Sequence, residues 1–268
     1  MKIVTYNVNS IRARLHHLEA LIEEVKPNII SLQEIKCSDN DFPEEAVREM
    51  GYSSYIYGQK SYHGVAILSD IEPSSVVKGL LKGQEESQKR FISAVYTLSS
   101  GEKITVMNGY FPQGESRDHP TKFPEKKEFY ANLLQLLKQN YSPSDNIVIM
   151  GDMNVAPDDL DVGIGEQNAK RWLRTGKCCF LPEEREWLEA LLDWGLKDIY
   201  AVLNPEQRDY SWFDYRTRGF DSNRGLRIDL MLATEPVMKM VKDCRIDQTL
   251  RGGERPSDHC PVILELNL

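Results

Sequence analysis

Lys2 to Val8 mixes β-branched and aromatic residues as a strand does, and from about Ile11 the apolar residues Leu15, Leu18, Leu21, Ile22 and Val25 fall at helical spacing. Pro27 stops that helix, and Asn28 to Ile35 returns to strand character. A chain that opens strand, helix, strand favours an α/β class over an all-β one. The next apolar runs, Val65 to Leu68, Phe91 to Leu98 and Ile104 to Tyr110, have no long helix between them. Part of each sheet is therefore expected to be antiparallel, and the sheets mixed.

Pro124 fits the first turn of a helix carrying Phe129, Leu133, Leu136 and Leu137. Ile147 to Met150 is then a short, wholly apolar run of the kind found in buried strands. A further helix is predicted from near Pro182 to near Gly195, with Trp187, Leu188, Leu191 and Leu192 as a core-facing stripe. Arg227 to Ala233 and Cys260 to Leu266 complete the predicted strands, entered from Asp229 and His259.

With 268 residues, 41% of them hydrophobic, the chain can bury a sizeable core as one domain spanning residues 1–268. No linker, low-complexity tract or sequence repeat divides it, and the densest turn chemistry, Gln113 to Pro124, falls inside the α/β pattern. No stretch approaches the ~18 apolar residues of a membrane span. The start, Lys2-Ile3-Val4, has no secretory pattern, so a soluble, cytoplasmic monomer is expected. The five cysteines are odd in number and lack CxxC spacing, which favours reduced thiols over a zinc or disulfide framework. A net charge of −8 argues against gripping nucleic acid by bulk charge, so any polyanion site must be local.

Polar residues recur at the ends of these strands: Asn7 and Asn9, Glu34, Asp152 and Asn154, Asp229, and the pair Asp258-His259. Singly, each reads as a cap, a turn or a solvated end. Together they supply one coherent chemistry, which predicts a shared site. The carboxylates and amides are hard oxygen ligands that suit Mg²⁺, with Mn²⁺ as a substitute, rather than zinc. Magnesium typically takes one or two carboxylates, so Glu34 and one neighbour suffice and the other acids are free for proton transfer. Asp229 beside His259 would orient the imidazole and favour its protonated form, a donor to a phosphate oxygen. Phosphodiester hydrolysis needs this combination of metal, activated water and donors. Tyr110, after a strand and among turn residues, either reaches a phosphate or caps the core.

The segments Asn7-Val8-Asn9, Leu32-Gln33-Glu34, Asn108-Gly109-Tyr110, Gly151-Asp152-Met153-Asn154, Gly225-Leu226-Arg227-Ile228-Asp229 and Ser257-Asp258-His259 resemble the exonuclease/endonuclease/phosphatase superfamily. Two longer stretches, Phe111 to Pro120 and Lys170 to Lys177, resemble its exonuclease III branch of apurinic/apyrimidinic endonucleases more specifically. The resemblance spans essentially the whole chain. It implies a four-layered α/β sandwich, two packed mixed β-sheets covered by helices. It also implies Glu34 as the principal Mg²⁺ ligand with Asn7 beside it, and Asp258 at a second metal position. Asp152 would orient or deprotonate the attacking water, Asn154 and Tyr110 would donate near the phosphate, and His259, held by Asp229, would bind a phosphate oxygen. Both Asp152 and His259 remain candidate bases; pairing with Asp229 favours protonated His259, so Asp152 is the preferred one.

Lys170, Arg171, Arg174 and Lys177 surround Trp172, and Arg216, Arg218, Arg224 and Arg227 follow Trp212-Phe213. Such stretches are often solvated charge beside buried aromatics, but they also fit binding and distortion of a duplex. The resemblance favours the second reading, with Trp212 and Leu226 walling a pocket for a flipped, baseless sugar and Arg90 and Gln113 as phosphate contacts. The expected activity is Mg²⁺-dependent cleavage 5′ to abasic sites, with 3′-to-5′ exonuclease and 3′-phosphatase or phosphodiesterase action on blocked 3′ ends of duplex DNA. The competing expectations are an inositol-phosphate or lipid phosphatase of the same superfamily and a silent damaged-DNA-binding protein.

Overall fold

The computed structural model describes residues 1–81, 88–206 and 208–268. Its strands run β1 (Lys2–Asn7), β2 (Ile29–Gln33), β3 (Ser53–Tyr57), β4 (Val65–Ser69), β5 (Ser75–Lys78) and β6 (Phe91–Thr97), then β7 (Lys103–Tyr110), β8 (Ile147–Asp152), β9 (Leu196–Asp198), β10 (Asp229–Thr234), β11 (Val241–Ile246) and β12 (Val262–Leu266). The helices are α1 (Leu15–Val25), α2 (Glu44–Glu49), α3 (Lys122–Asn140), α4 (Glu166–Thr175), α5 (Pro182–Asp193), α6 (Ile199–Leu203) and α7 (Glu235–Met238).

Among the described residues the strands form two mixed sheets, ordered β11-β12-β1-β2-β4-β3 and β5-β6-β7-β8-β10-β9. In each, only the third and fourth strands are parallel: β1 with β2 across α1, and β7 with β8 across α3. Every other neighbouring pair is antiparallel, so strand directions match position for position between the sheets. The sequence shows no repeat, yet the topology repeats.

The layers follow from alternation along each strand. Ile3, Ile29, Val65 and Ile67 of one sheet meet Val106, Val148, Met150 and Met231 of the other in a shared core. The alternate residues Val4, Tyr6, Ile30 and Leu32 face Leu18 and Leu21 of α1 and Val47 of α2. On the far side, Met107, Ile149, Leu230 and Leu232 face Tyr130 and Leu133 of α3 and Leu188 and Leu191 of α5. This is the expected α/β sandwich of two mixed sheets flanked by helices. Each buried leucine of these stripes contributes roughly 1.5–3 kcal/mol to docking its helix.

The predicted helix after β1 begins one turn later than its pattern, because Ile11–Ala13 forms a 3-10 turn before α1. Lys26 then adopts a left-handed conformation, φ 50°, immediately before Pro27. All five cysteines are buried free thiols. No helix of the described residues is long and apolar enough to cross a membrane.

Candidate active site

The period of two that sorts the core also delivers the site. On β1, Ile3, Thr5 and Asn7 share a face; on β8, Val148, Met150 and Asp152 do; on β10, Asp229, Met231 and Ala233 do. Because Ile3, Val148, Met150 and Met231 lie between the sheets, Asn7, Asp152 and Asp229 turn into the same seam at its open end. Beneath them Gln33 Nε2 donates to Asn108 Oδ1 at 2.7 Å, and Asn108 Nδ2 donates to the carbonyls of Leu32 and Ala66, bolting the sheets together. Gly151 permits the approach of β7: it holds φ +140°, and a Cβ there would stand 1.9 Å from the Gly109 carbonyl oxygen.

Asn7 Nδ2 bridges the sheets, donating to Glu34 Oε1 and to Asp152 Oδ2, each at 2.9 Å. Its Oδ1 accepts from the Asn9 backbone N–H. Asp152 Oδ1 accepts from the Asn154 N–H at 3.1 Å. His259 Nδ1 lies 2.8 Å from Asp229 Oδ2, and its Nε2 lies 3.7 Å from Asp152 Oδ2. Ser211 Oγ accepts from the N–H groups of Ile228 and Asp229, and Ser257 Oγ donates to the Asn7 carbonyl, so both loops are pinned from behind. Glu34 and Asn154 both hold left-handed backbone conformations, φ 50° and 53°. Each such non-glycine residue costs on the order of 1 kcal/mol, strain that the surrounding hydrogen bonds offset.

The electrostatics divide the acids by role. Burial would raise the Glu34 carboxyl, but Lys36 at 2.8 Å and the Asn7 amide hold it below its usual range, so it stays charged. Burial pushes Asp152 up, and the charges of Asp229 and Glu34 add to this while His259 opposes it; the net direction is upward. Burial would lower His259, yet Asp229 and Asp152 raise it above the ordinary imidazole range, so it carries its proton at neutral pH. Tyr110 is raised by burial and by the Glu34 and Asp152 charges, and remains a donor.

Glu34, Asp152 and His259 each bring one ligand atom within 4.8 Å of the others. His259 is committed to Asp229 as a cation, so a metal ion at this group could draw only on the carboxylates, with Glu34 the one that stays charged. A hard divalent cation fits: the donors are oxygens, and two carboxylates converge across the Asn7 amide, with Lys36 beside Glu34 and His259 beside Asp152. Asp258 lies beside this cluster with both oxygens engaged, Oδ1 by Asn9 Nδ2 and Oδ2 by Trp212 Nε1.

The cluster opens into a cleft of about 550 Å³ whose lining includes Glu34, Tyr110, Asn154, Trp212, Leu226 and His259. Trp212 is held by isolated bridges to Leu226 and to His259. Gln113, Lys177 and Arg216 are also on its walls. Arg90 sits behind, its guanidinium 4.6 Å over the Tyr110 ring and donating to the Tyr110 carbonyl. Lys170, Arg171 and Arg174 are exposed on α4, with Lys170 paired to Glu166.

Three expectations need correction. Phe213, expected to contact DNA, is fully buried, packed edge-on against Phe220, because only Trp212 of that pair faces the cleft. Trp172, in one of the stretches expected to distort a duplex, is buried and stacked on Phe180 with Lys177 over its ring, so it lies beneath the surface rather than projecting from it. Arg227 belongs to no basic face: it is fully buried, bound to Asp161 and Asp198. The sequence reading also missed Lys126 and Glu184, an ion pair with both side chains fully buried, whose Nζ reaches the Asn154 carbonyl. The available signal was position: Lys126 lies four residues before Tyr130 on the core stripe of α3.

The family described as Endonuclease/Exonuclease/phosphatase matches residues 4–259. The chain is 51% identical over 266 residues to exodeoxyribonuclease III of Haemophilus influenzae, covering 99% of each. It belongs to the exonuclease/endonuclease/phosphatase superfamily, in the bacterial exodeoxyribonuclease III/AP endonuclease family. Among solved structures of this superfamily, a Neisseria 3′ phosphatase bound to product DNA hairpin is 37% identical, with a TM-score of 0.90 and full coverage of both chains. An AP endonuclease from Archaeoglobus fulgidus is 33% identical with the same TM-score and coverage. Membership places the chain among phosphoester hydrolases.

Proposed function

We propose that this protein is a Mg²⁺-dependent DNA repair phosphodiesterase that cuts duplex DNA 5′ to an abasic site, leaving a 3′-hydroxyl. In this reading it also trims duplex 3′ ends and removes 3′-phosphates and other 3′ blocks. The carrying observation is the Asn7 bridge between Glu34 and Asp152, which opens, beside His259, onto the cleft walled by Trp212 and Leu226. The family membership and the DNA-bound Neisseria relative support the same reading.

Glu34, with Asn7 beside it, would hold a divalent cation, which would supply positive charge against a phosphate oxygen. Asp152, fixed through both oxygens by Asn7 and Asn154, takes the proton of the attacking water; its upward shift brings it nearer the range of a base working at neutral pH. His259 donates from Nε2 to a non-bridging oxygen, its charge retained by Asp229. Asn154 commits one Nδ2 hydrogen to the Phe111 carbonyl and offers the other to the phosphate. Tyr110, kept protonated, donates near the leaving oxygen. Asp258 fixes Trp212 through the indole N–H, and Trp212 with Leu226 encloses the extruded sugar, a nucleotide that is cheap to flip because it has no base to unstack. Gln113, Lys177, Arg216 and the cations of α4 hold the backbone on either side.

The direct test is turnover of a duplex with one internal abasic-site analogue in Mg²⁺ or in EDTA, with Glu34→Ala as contamination control. Metal-dependent cutting immediately 5′ of the lesion, by wild type alone, is expected. Binding without cleavage, or turnover of a soluble inositol phosphate instead, would overturn the reading.

A further inference from the structure

Asn154 reaches the cleft from a left-handed backbone conformation, and what holds it there lies behind the site. Lys126 Nζ, with no solvent exposure, donates to the Asn154 carbonyl at 2.8 Å, to the Gln113 carbonyl at 3.3 Å and to Glu184 Oε1 at 2.5 Å. Those acceptors come from the loop after β8, the loop after β7 and the first turn of α5. Glu184 is itself fixed, its Oε2 accepting from the Leu181 N–H. An unpaired ammonium would not persist in this interior, and hydrophobic side chains would fill α3 and α5 equally well if packing were the only demand. The charge is placed where two cleft-lining loops present their carbonyls.

We propose that Lys126, with Glu184 as its counter-charge, is a positioning pair for the reaction: it sets the Asn154 backbone so that the Asn154 side chain meets the phosphate. This rests on the role given to Asn154 above. Lys126 touches no substrate. Of the two carbonyls it holds, the shorter contact, to Asn154, is the one through which the pair acts on the reaction, and its loss displaces a donor without removing it.

The test is a cycle of Asn154→Ala, Lys126→Met/Glu184→Gln and the combination, assayed on the abasic duplex with folding checked by thermal melting. The Gln at 184 keeps an acceptor for Leu181 and leaves no buried charge unpaired. Lys126→Met/Glu184→Gln is expected to lower kcat about 10- to 100-fold, the cost of a misplacement near 1 Å, with KM changed less than about threefold. In the Asn154→Ala background the same replacement should cost nothing further in kcat. Full additivity, or an unchanged kcat in the Lys126→Met/Glu184→Gln protein, would overturn the inference while leaving the nuclease reading intact. An unchanged kcat in Asn154→Ala alone would instead refute the role assigned to Asn154. If the methionine variant does not fold, Lys126→Gln/Glu184→Gln keeps a neutral donor on a side chain one atom shorter. It should then retain more activity than Asn154→Ala, and equal or lower activity would overturn the inference.

Discussion

Replacing Asp229 with Asn tests the charge logic of the site without changing its shape. Asp229 Oδ2 lies 2.8 Å from His259 Nδ1, with the two side chains 0% and 4% exposed. At an effective dielectric near 20, charges about 4 Å apart attract by roughly 4 kcal/mol. Asn keeps a neutral acceptor, which recovers about 1 kcal/mol. A net loss of about 3 kcal/mol corresponds to somewhat more than a hundredfold, about 2 pKa units, in the His259 protonation equilibrium. Oδ1 has no hydrogen-bond partner among the described residues, so turning it into an amide nitrogen breaks nothing.

The sign follows from the direction of the shift. His259 is raised, so the active protonated form is lost as pH increases through its pKa, which sets the alkaline limb. In Asp229→Asn that limb should move down by about 2 pH units from the value of about 10 to which His259 is raised, cutting the rate near pH 9 by roughly 10-fold while leaving it close to wild type at pH 6. The pair also contributes stability that is complete below the ordinary imidazole pKa and is lost as pH rises through the raised one. The mutant's deficit should therefore be largest in acid and fade in alkali. Single-turnover cleavage of the abasic duplex at saturating Mg²⁺ reads the kinetic prediction. A pH profile superimposable on wild type would refute the reasoning.

Three further outcomes are expected. Mg²⁺ at 100 times its dissociation constant should stabilise wild type by about 2.7 kcal/mol, seen as a rise in Tm; Glu34→Gln should abolish that rise, and an equal rise would count against Glu34 as ligand. Gly151→Ala should lower stability by more than about 3 kcal/mol in urea unfolding, since the Cβ meets the Gly109 carbonyl at 1.9 Å; a loss under about 1 kcal/mol would contradict the packing. Arg227→Met should cost about 3–5 kcal/mol by removing the buried counter-charge that Asp198 and Asp161 share, although Arg208 still lies 3.4 Å from Asp161, yet leave the salt dependence of DNA binding unchanged, whereas Lys177→Ala or Arg216→Ala should each reduce the slope by about 1. A reduced slope in Arg227→Met would return that residue to the DNA face.

The strands that the sequence pattern revealed are the interior ones. β2, β4 and β10 are buried along their whole length and read as apolar runs. The four that it did not reveal, β3, β5, β9 and β11, are the four sheet edges. Each carries solvent-exposed positions, as Ser75–Lys78 does with no buried residue, and so presents no apolar run to recognise. Site residues were legible for a related reason: a polar residue ending a buried strand must be satisfied by something, and Asn7, Asp152 and Asp229 end such strands on one face. Spacing alone does not say which side of a loop a side chain takes. Trp212 and Phe213 are adjacent and face opposite ways, and Arg227 and Lys177 are both basic yet one is core and one is exposed. Lys126 was hidden because a lysine on a helix ordinarily marks its wet face.

Of the two sheets, the first is assembled from both ends of the described chain. β1 pairs with β12, and the Ser257 hydroxyl closes on the Asn7 carbonyl across 250 residues. During synthesis the Glu34 and Asp152 loops emerge long before His259 and the strand that follows it. A ribosome-bound intermediate can therefore own most of the acids and still have no imidazole to complete them. Pairings this distant also form late in folding, because their loop entropy must be met first. Cutting power should thus return in the final phase of refolding, after the helices and the second sheet have regained their signals. Any chemistry that needs His259 is expected only once the segment carrying it has emerged and paired.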